Sequence, residues 1–200
     1  MAFGTDWKPG SSRSKMSTTY RRMRDSDVEP IIAIQNESLL GKVAESQLKD
    51  GFVQGEFTAA DFKNFDRDVA VMVAETEGQL SGYLCTSHLE LHQGKELLKL
   101  IAKRTEAIEF DGKSLSQYKI VMTGPICISR SQRGKGIFES LYNSFFETIG
   151  KDFEVAICFV DEANPRSLAA HINKLHMRVV DEFEFGGRKY NLLARKIPGQ

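Results

Sequence analysis

The sequence is short of several things, and each shortage removes a class of function. It has no excess of one charge: Lys and Arg together number 27, as do Asp and Glu. Nothing in bulk therefore argues for nucleic acid or an anionic membrane as a partner, and a local basic patch is all that the balance permits. Cysteine is scarce and odd in number. Cys85, Cys127 and Cys158 are scattered through apolar runs read as strands, which is neither a disulfide framework nor a zinc spacing. We expect reduced thiols, no metal and a cytoplasmic setting. No run approaches the roughly 20 apolar residues that a membrane span needs, and the N-terminus lacks the apolar core of a secretory signal.

What is present is an ordinary globular balance, with 41 % apolar and 27 % charged residues in a chain of 200. That length supports one good core, or one domain with an insertion. "MAFGTDWKPGSSRSK" is rich in Gly, Ser and basic residues, so residues 1–16 read as a leader, tag or disordered tail. With neither repeats nor an internal linker, 17–200 read as a single α/β domain.

"STTYRRMR" (17–24) reads as a strand, after which Asp25, Ser26 or Asp27 can cap a helix carrying Val28, Ile31, Ile32 and Leu39. Residues 41–66 read as helical pieces and loops. Strands are expected at 69–75 and 80–91, joined by a turn at Gly78 and Gln79. A helical pattern covers 94–108, with Leu97, Leu98, Ile101 and Ile108 on one face, and 111–116 reads as a loop. "YKIVMTGPICIS" (118–129) is a strand interrupted by Gly124 and Pro125, a pair that a central strand accepts where it bulges or bends.

The clearest helix is 136–150, with a stripe of Ile137, Phe138, Leu141, Phe145 and Ile149 and a left-handed cap expected at Gly150. "VAICFV" (155–160) has the composition of a strand buried on both faces, so strand, helix and strand make a parallel βαβ unit. A helix at 164–175 begins with Asn164 as N-cap and Pro165 in the first turn. The chain closes in a hairpin about Gly186 and Gly187, which sets Phe183 opposite Tyr190 and Glu184 opposite Lys189.

The informative stretch is "RSQRGKGIF" (130–138), where the parallel strand turns into the helix. A helix N-terminus presents unpaired N–H groups and favours anions. Glycines let that backbone approach a phosphate closely. Gly134 and Gly136 supply the clearance, while Arg133 and Lys135 add charge. A P-loop is excluded because Gly136 follows Gly134-Lys135 where Lys-Ser or Lys-Thr is required. A dinucleotide fingerprint is excluded because Glu139 stands where the third glycine belongs. A Gly-containing strand-to-helix turn with no ligand has the same letters.

"ICISRSQRGKGIFESLY" resembles the acyl-CoA-binding segment of the GNAT N-acetyltransferase superfamily, Q/R-x-x-G-x-G/A, with Arg133, Gly136 and Phe138 at the defining positions. "NPRSLAAHINKLHM" resembles the family's later helix, and "YRRMRDSDVEPI" its first strand and helix. The resemblance runs from about residue 17 to the C-terminus. It departs at Phe138, where the family has Gly or Ala, and at "KLHM", where it has "KLGF".

The resemblance implies a mixed, mostly antiparallel sheet with helices on both faces. Its central parallel pair would splay around acetyl-CoA as cosubstrate. Carried over residue by residue, it implies cofactor contacts at Ile126, Cys127 and Ile128 on the strand. The N–H groups of Arg133, Gly134, Lys135, Gly136, Ile137 and Phe138 would hold the pyrophosphate, with Asn164 and Ser167 near the cofactor arm. The N–H of Ile128 would polarise the thioester carbonyl.

The implied chemistry is direct attack by the primary amine of a small molecule or protein. His171 stands where the family often has the acidic tyrosine, with Tyr190 as its rival; a packed core histidine and a cross-strand partner of Phe183 are their structural alternatives. Glu75, Glu90, Asp161 and Glu162 lie near strand ends, and none is singled out as the base. The helix at 94–108 would shape the acceptor side or a homodimer contact. The other readings are an acyl-CoA sensor without turnover and a phosphate patch for nucleic acid, the latter disfavoured by the neutral charge.

Overall fold

The alternation of side chains along the strands decides where the helices go. In the computed structural model, which describes residues 17–92 and 95–199, β2 (Ala70–Thr76) sends Val71 and Val73 to one face and Ala70, Met72 and Ala74 to the other. The first face is covered by α1 (Val28–Asn36) and α2 (Ala59–Asp68), through Ile31, Ile34, Phe62 and Phe65. The second packs on α4 (Ile137–Thr148), through Leu141, Tyr142 and Phe145. The leader proposed at 1–16 lies outside the described residues.

Seven strands form one sheet. Beyond β2 these are β1 (Thr18–Arg22), β3 (Gln79–Ser87), β6 (Ile120–Ile128), β7 (Val155–Asp161), β8 (Arg178–Phe185) and β9 (Arg188–Lys196), in the order β1-β2-β3-β6-β7-β9-β8. Every neighbouring pair is antiparallel except β6 and β7. The expected mixed sheet with a central parallel pair is therefore observed. The closing hairpin keeps the expected register, Phe183 opposite Tyr190 and Glu184 opposite Lys189.

Between β3 and β6 the chain adds α3 (Glu96–Thr105) and a small hairpin, β4 (Glu109–Phe110) with β5 (Lys113–Ser114). This insertion shares the α1/α2 face but covers the other half of the sheet. Leu98, Ile101, Phe110 and Leu115 pack on Met122, Val155, Ile157 and Leu192. Arg104 on α3 bonds both carboxylate oxygens of Asp181 on β8, with Nη2 to Oδ1 at 2.8 Å. On the opposite face α5 (Pro165–Leu175) joins α4.

Several details depart from the sequence expectations, beginning with α1, which ends at Asn36 and leaves Leu39 outside it. The β2–β3 turn sits on Glu77 and Gly78, both at positive φ, and Gln79 already belongs to the strand. The second strand stops at Ser87, and Leu89–His92 form a 3-10 turn. The stretch 111–116 is not loop throughout: Asp111 and Gly112, at φ 47° and 90°, make a two-residue hairpin turn into β5. Gly150 is not a left-handed cap. It lies in a 3-10 turn, and a Cβ there would meet the Phe145 carbonyl oxygen at 3.1 Å, so packing is what requires glycine. The left-handed helix end is instead His176, at φ 54°, closing α5 where "KLGF" would put glycine.

Leu115 is fully buried under the insertion. If the insertion folds with the sheet as one unit, Leu115→Ala will lower unfolding free energy by about 2–5 kcal/mol. Urea unfolding followed by tryptophan-independent far-UV dichroism reads this. A loss under about 1 kcal/mol would mean that the insertion lies outside the cooperative core.

Candidate functional site

The site begins where a ladder stops. β6 and β7 are paired only at Ile120–Val155, Val121–Ala156 and Met122–Ile157, although both strands run on. Past Met122 they part. The Gly124–Pro125 interruption lies at this point, and the pairing of β6 with β3 shifts register between Leu84 and Thr86. That is the expected bulge. The Gly124–Pro125 peptide is cis.

The alternation of an antiparallel ladder fixes which backbone groups face the opening. Ser129 donates its N–H to the Ser81 carbonyl at 2.9 Å, so Cys127, two residues earlier, also turns its backbone toward β3. Ile126 and Ile128 then turn theirs into the gap left by β7. Gly82, opposite Ile128, makes this close pairing possible: a Cβ there would lie 2.7 Å from Ile128 Cδ1 and 2.9 Å from the Cys127 carbonyl oxygen.

The strand runs directly into the glycine turn. Gly134 and Gly136 sit at φ 80° and 82°, and a Cβ on either would meet nothing within 4 Å. The positive φ calls for glycine, and the open space on that side is accessible to a ligand. Gly136 is the N-cap of α4, so the unpaired N–H groups of the first turn open on the same space. The glycine turn and the helix start thus fall where the sequence places them.

Arg133 does something other than add charge to that turn. Its guanidinium is half-buried and turned inward, donating to the carbonyls of Ile128 (3.1 Å) and Asp50 (2.8 Å) and to Ser38 Oγ (2.6 Å). Burial lowers its pKa from the ordinary value. One side chain thus ties the end of β6 to the irregular segment 37–53. Glu37 braces the same turn, accepting from the Arg130 N–H at 2.9 Å. The Lys135 ammonium donates to Gln132 Oε1 at 2.8 Å.

Two cavities meet at the opening. One, of about 370 Å³, is bounded by Ile126, Cys127 and Ile128, by Arg133, Gly134 and Gly136 to Phe138, and by α5. It gathers the sequence-predicted cofactor residues except Lys135, whose side chain points to Gln132. The other, of about 510 Å³, lies toward α3 and is lined by His171, Tyr190 and Asp161 among mostly apolar side chains. Phe52, Val53, Ile126, Asn164 and Ser167 belong to both walls. Asn164 caps α5 as expected, accepting from the Ser167 N–H at 3.3 Å, while its Nδ2 donates to the Phe52 carbonyl at 2.9 Å.

Of the four acids at strand ends, Asp161 alone lines the larger cavity. It accepts from the Ala163 N–H (2.8 Å), Arg188 Nη1 (2.5 Å) and Gln54 Nε2. Glu75 pairs with Arg21 near the far edge of the sheet, while Glu90 and Glu162 line other hollows. Tyr190 reaches Gln54 Oε1 at 3.3 Å.

His171 is 3 % exposed and engaged at both ring nitrogens. Nδ1 lies 2.8 Å from the Ser167 carbonyl and Nε2 lies 3.2 Å from Tyr142 Oη, which also meets Thr123 Oγ1 at 3.2 Å. A carbonyl can only accept, so Nδ1 carries the proton. Burial holds the imidazole pKa below its ordinary value, which favours the neutral ring near pH 7, with Nε2 set against the Tyr142 hydroxyl. Tyr142 is thus more than a packing residue. Phe138 stands edge-on to His171, with centroids 5.1 Å apart, and fills the place where the family has a small residue.

Neither a family model nor a curated protein sequence matches the chain. Solved structures do. A GNAT superfamily phosphinothricin acetyltransferase from Sinorhizobium meliloti, in complex with acetyl-CoA, superposes with a TM-score of 0.62 at 20 % identity over 91 % of this chain and 89 % of that one. The fold is that of the GNAT N-acetyltransferases. An N-acetyltransferase from Staphylococcus aureus gives 0.59 at 16 % identity, covering 90 % and 99 %. The yncA protein of Salmonella typhimurium, with its cofactor acetyl-CoA, gives 0.59 at 15 %, covering 92 % and 95 %. Among the described residues no group of His, Cys, Asp and Glu could hold a metal ion, and no helix is long and apolar enough to cross a membrane.

Sequence reasoning missed Ser38, Asp50, Phe52, Val53 and Gln54, which wall the two cavities from the segment between α1 and α2. The partners that Ser38, Asp50, Phe52 and Gln54 meet across the cleft are 83 to 136 residues away in sequence, and no local pattern announces them.

The neutral state of His171 gives a pH signature. Its folded pKa lies below the ordinary value of 6.5, so its contribution to stability is complete above 6.5 and is lost as pH falls from there toward the folded pKa. Between pH 7.5 and 5.5, the wild type will lose more stability in urea than His171→Asn, by up to about 1.4 kcal/mol per pH unit below 6.5. Equal losses would mean that the ring is not buried in its neutral form.

Proposed function

We propose that this protein transfers the acetyl group of acetyl-CoA to the nitrogen of a primary amine by direct attack. The observation that carries this reading is the open β6–β7 gap, flanked by the glycine cradle on one side and a separate cavity on the other. The pyrophosphate rests on the N–H groups of Gly134 to Phe138. The pantetheine arm lies along Ile126 and Ile128, with Asn164 and Ser167 beside it. Arg133 and Cys127 frame this seat.

The amine enters the larger cavity. Its apolar walls disfavour the ammonium form, so the nucleophile is the free base. The nitrogen lone pair attacks the thioester carbon and the carbonyl electrons move to oxygen, where the Ile128 N–H stabilises them. On collapse the C–S bond breaks, the C–N bond remains, the nitrogen sheds a proton and the CoA sulfur gains one. The products are an amide and free CoA.

Two residues were candidates for the donor to sulfur. A neutral imidazole gives up its remaining N–H proton far less readily than a phenol gives up its O–H proton, so the phenol is the better donor to a thiolate. We assign the donor role to Tyr190 and treat His171 as a positioning residue that ties α5 to Tyr142 and Thr123. The nitrogen's proton leaves to water at the cavity mouth, beside the Asp161–Arg188 pair.

A thermal melt with acetyl-CoA, CoA and ATP tests the cofactor. A ligand at a hundred times its Kd adds about 2.7 kcal/mol, or roughly 5–11 °C for a chain of this size. Acetyl-CoA and CoA should raise the midpoint and ATP should not, and Gly136→Glu should abolish the rise. No rise with any CoA species would overturn the reading. With an accepted amine, Tyr190→Phe should lower kcat about 10²-fold or more with acetyl-CoA affinity unchanged. A larger loss of kcat in His171→Asn than in Tyr190→Phe would reverse the two roles.

A further inference from the structure

The acceptor cavity has a chemistry of its own. Four phenylalanines and a tyrosine line it: Phe52, Phe57, Phe65, Phe159 and Tyr190. Four of them form two pairs on different elements. Phe57 meets Phe65 edge-on at 5.4 Å beside α2, and Phe159 meets Tyr190 edge-on at 5.8 Å on β7 and β9. Leu97 and Leu98 of the insertion, with Met122 and Pro125 of β6, complete the walls. Such rings offer faces and edges to an aromatic guest.

The charges in the same cavity are few and arranged against a second cation. Asp161 is matched by Arg188 at 2.5 Å and receives two further hydrogen bonds, so its charge is compensated within the wall. Lys95 places its ammonium over the Phe57 ring, 4.8 Å from the centroid. An acceptor carrying a second ammonium, such as a polyamine or free lysine, would meet that charge and find no unpaired carboxylate. The volume, about 510 Å³, is of the size that encloses a small molecule.

Resting on the acetyl-transfer reading above, we propose that the acceptor is a primary amine on a short chain bearing an aromatic or similarly bulky apolar group, an arylalkylamine. The insertion supplies its selectivity. The ring lies between the Phe57/Phe65 and Phe159/Tyr190 groups against Leu97, and the amine points to the β6–β7 opening at Ile126.

The test uses 2-phenylethylamine, spermidine, lysine and a short peptide with a free N-terminus, each with acetyl-CoA and the full-length protein. Product is read by mass, and binding of 2-phenylethylamine to the CoA-saturated protein by calorimetry. We expect 2-phenylethylamine to be acetylated with a kcat/KM at least about ten-fold above the others. Phe159→Ala and Leu97→Trp, on different elements, should each weaken its binding by about ten-fold or more, one by removing a wall and the other by filling the space. Both should keep the acetyl-CoA thermal shift, which also reports that they fold. Preference for spermidine, lysine or the peptide would overturn the proposal, as would absence of 2-phenylethylamine binding to protein that binds CoA. Failure to bind any CoA species would instead fall on the acetyl-transfer reading, and the two failures are told apart by the melt.

Discussion

The structure depends on a hydrogen-bond ladder that ends early. Two parallel strands in the middle of a sheet would ordinarily satisfy one another along their length, and uncovered backbone groups in an interior are costly. Here β6 and β7 pair at three positions and then separate. The separation leaves the backbone of Ile126 and Ile128 facing an opening. It also creates the two cavities, which share the walls around Asn164 and Ser167. The rest of the molecule holds that opening in place: β3 through the close approach at Gly82, α4 through its glycine start, and α5 through the double role of Asn164.

Arg133 keeps the geometry from collapsing. The Ile128 carbonyl would otherwise face the gap unpaired, and the guanidinium takes it, together with Asp50 and Ser38. An arginine suits the task because its planar fork donates in several fixed directions at once. The residue that the sequence motif marks for cofactor binding thus acts on the β6–β7 opening through the protein. His171 has a similar character on the opposite wall, where Ser167 and Tyr142 hold its two nitrogens.

Much of this was legible before any coordinates. The βαβ unit followed from an unbroken "VAICFV" after an amphipathic helix, and the hairpin register followed from two adjacent glycines. The turn into α4 followed from Gly134 and Gly136 at a helix start. These are local signals, set by the preferences of a few adjacent residues. What stayed hidden was set by distant partners. Residues 37–54 carry no periodicity, yet they wall both cavities. The inward turn of Arg133 depends on acceptors brought in from that segment, and the neutrality of His171 depends on burial that no periodicity measures. The hairpin at Asp111–Gly112 was a local signal overlooked, since Asp-Gly is a dipeptide that two-residue hairpin turns favour.

The central claim is that the β6–β7 opening is the acetyl-CoA seat. Amide hydrogen exchange with and without acetyl-CoA tests it at the residues concerned. The account predicts slowed exchange in the presence of acetyl-CoA at Ile126, Ile128 and the Gly134–Phe138 turn, with little change in β8 and β9 away from the cleft. Protection confined to some other surface, or none at Ile126, Ile128 and the turn under saturating acetyl-CoA, would contradict it.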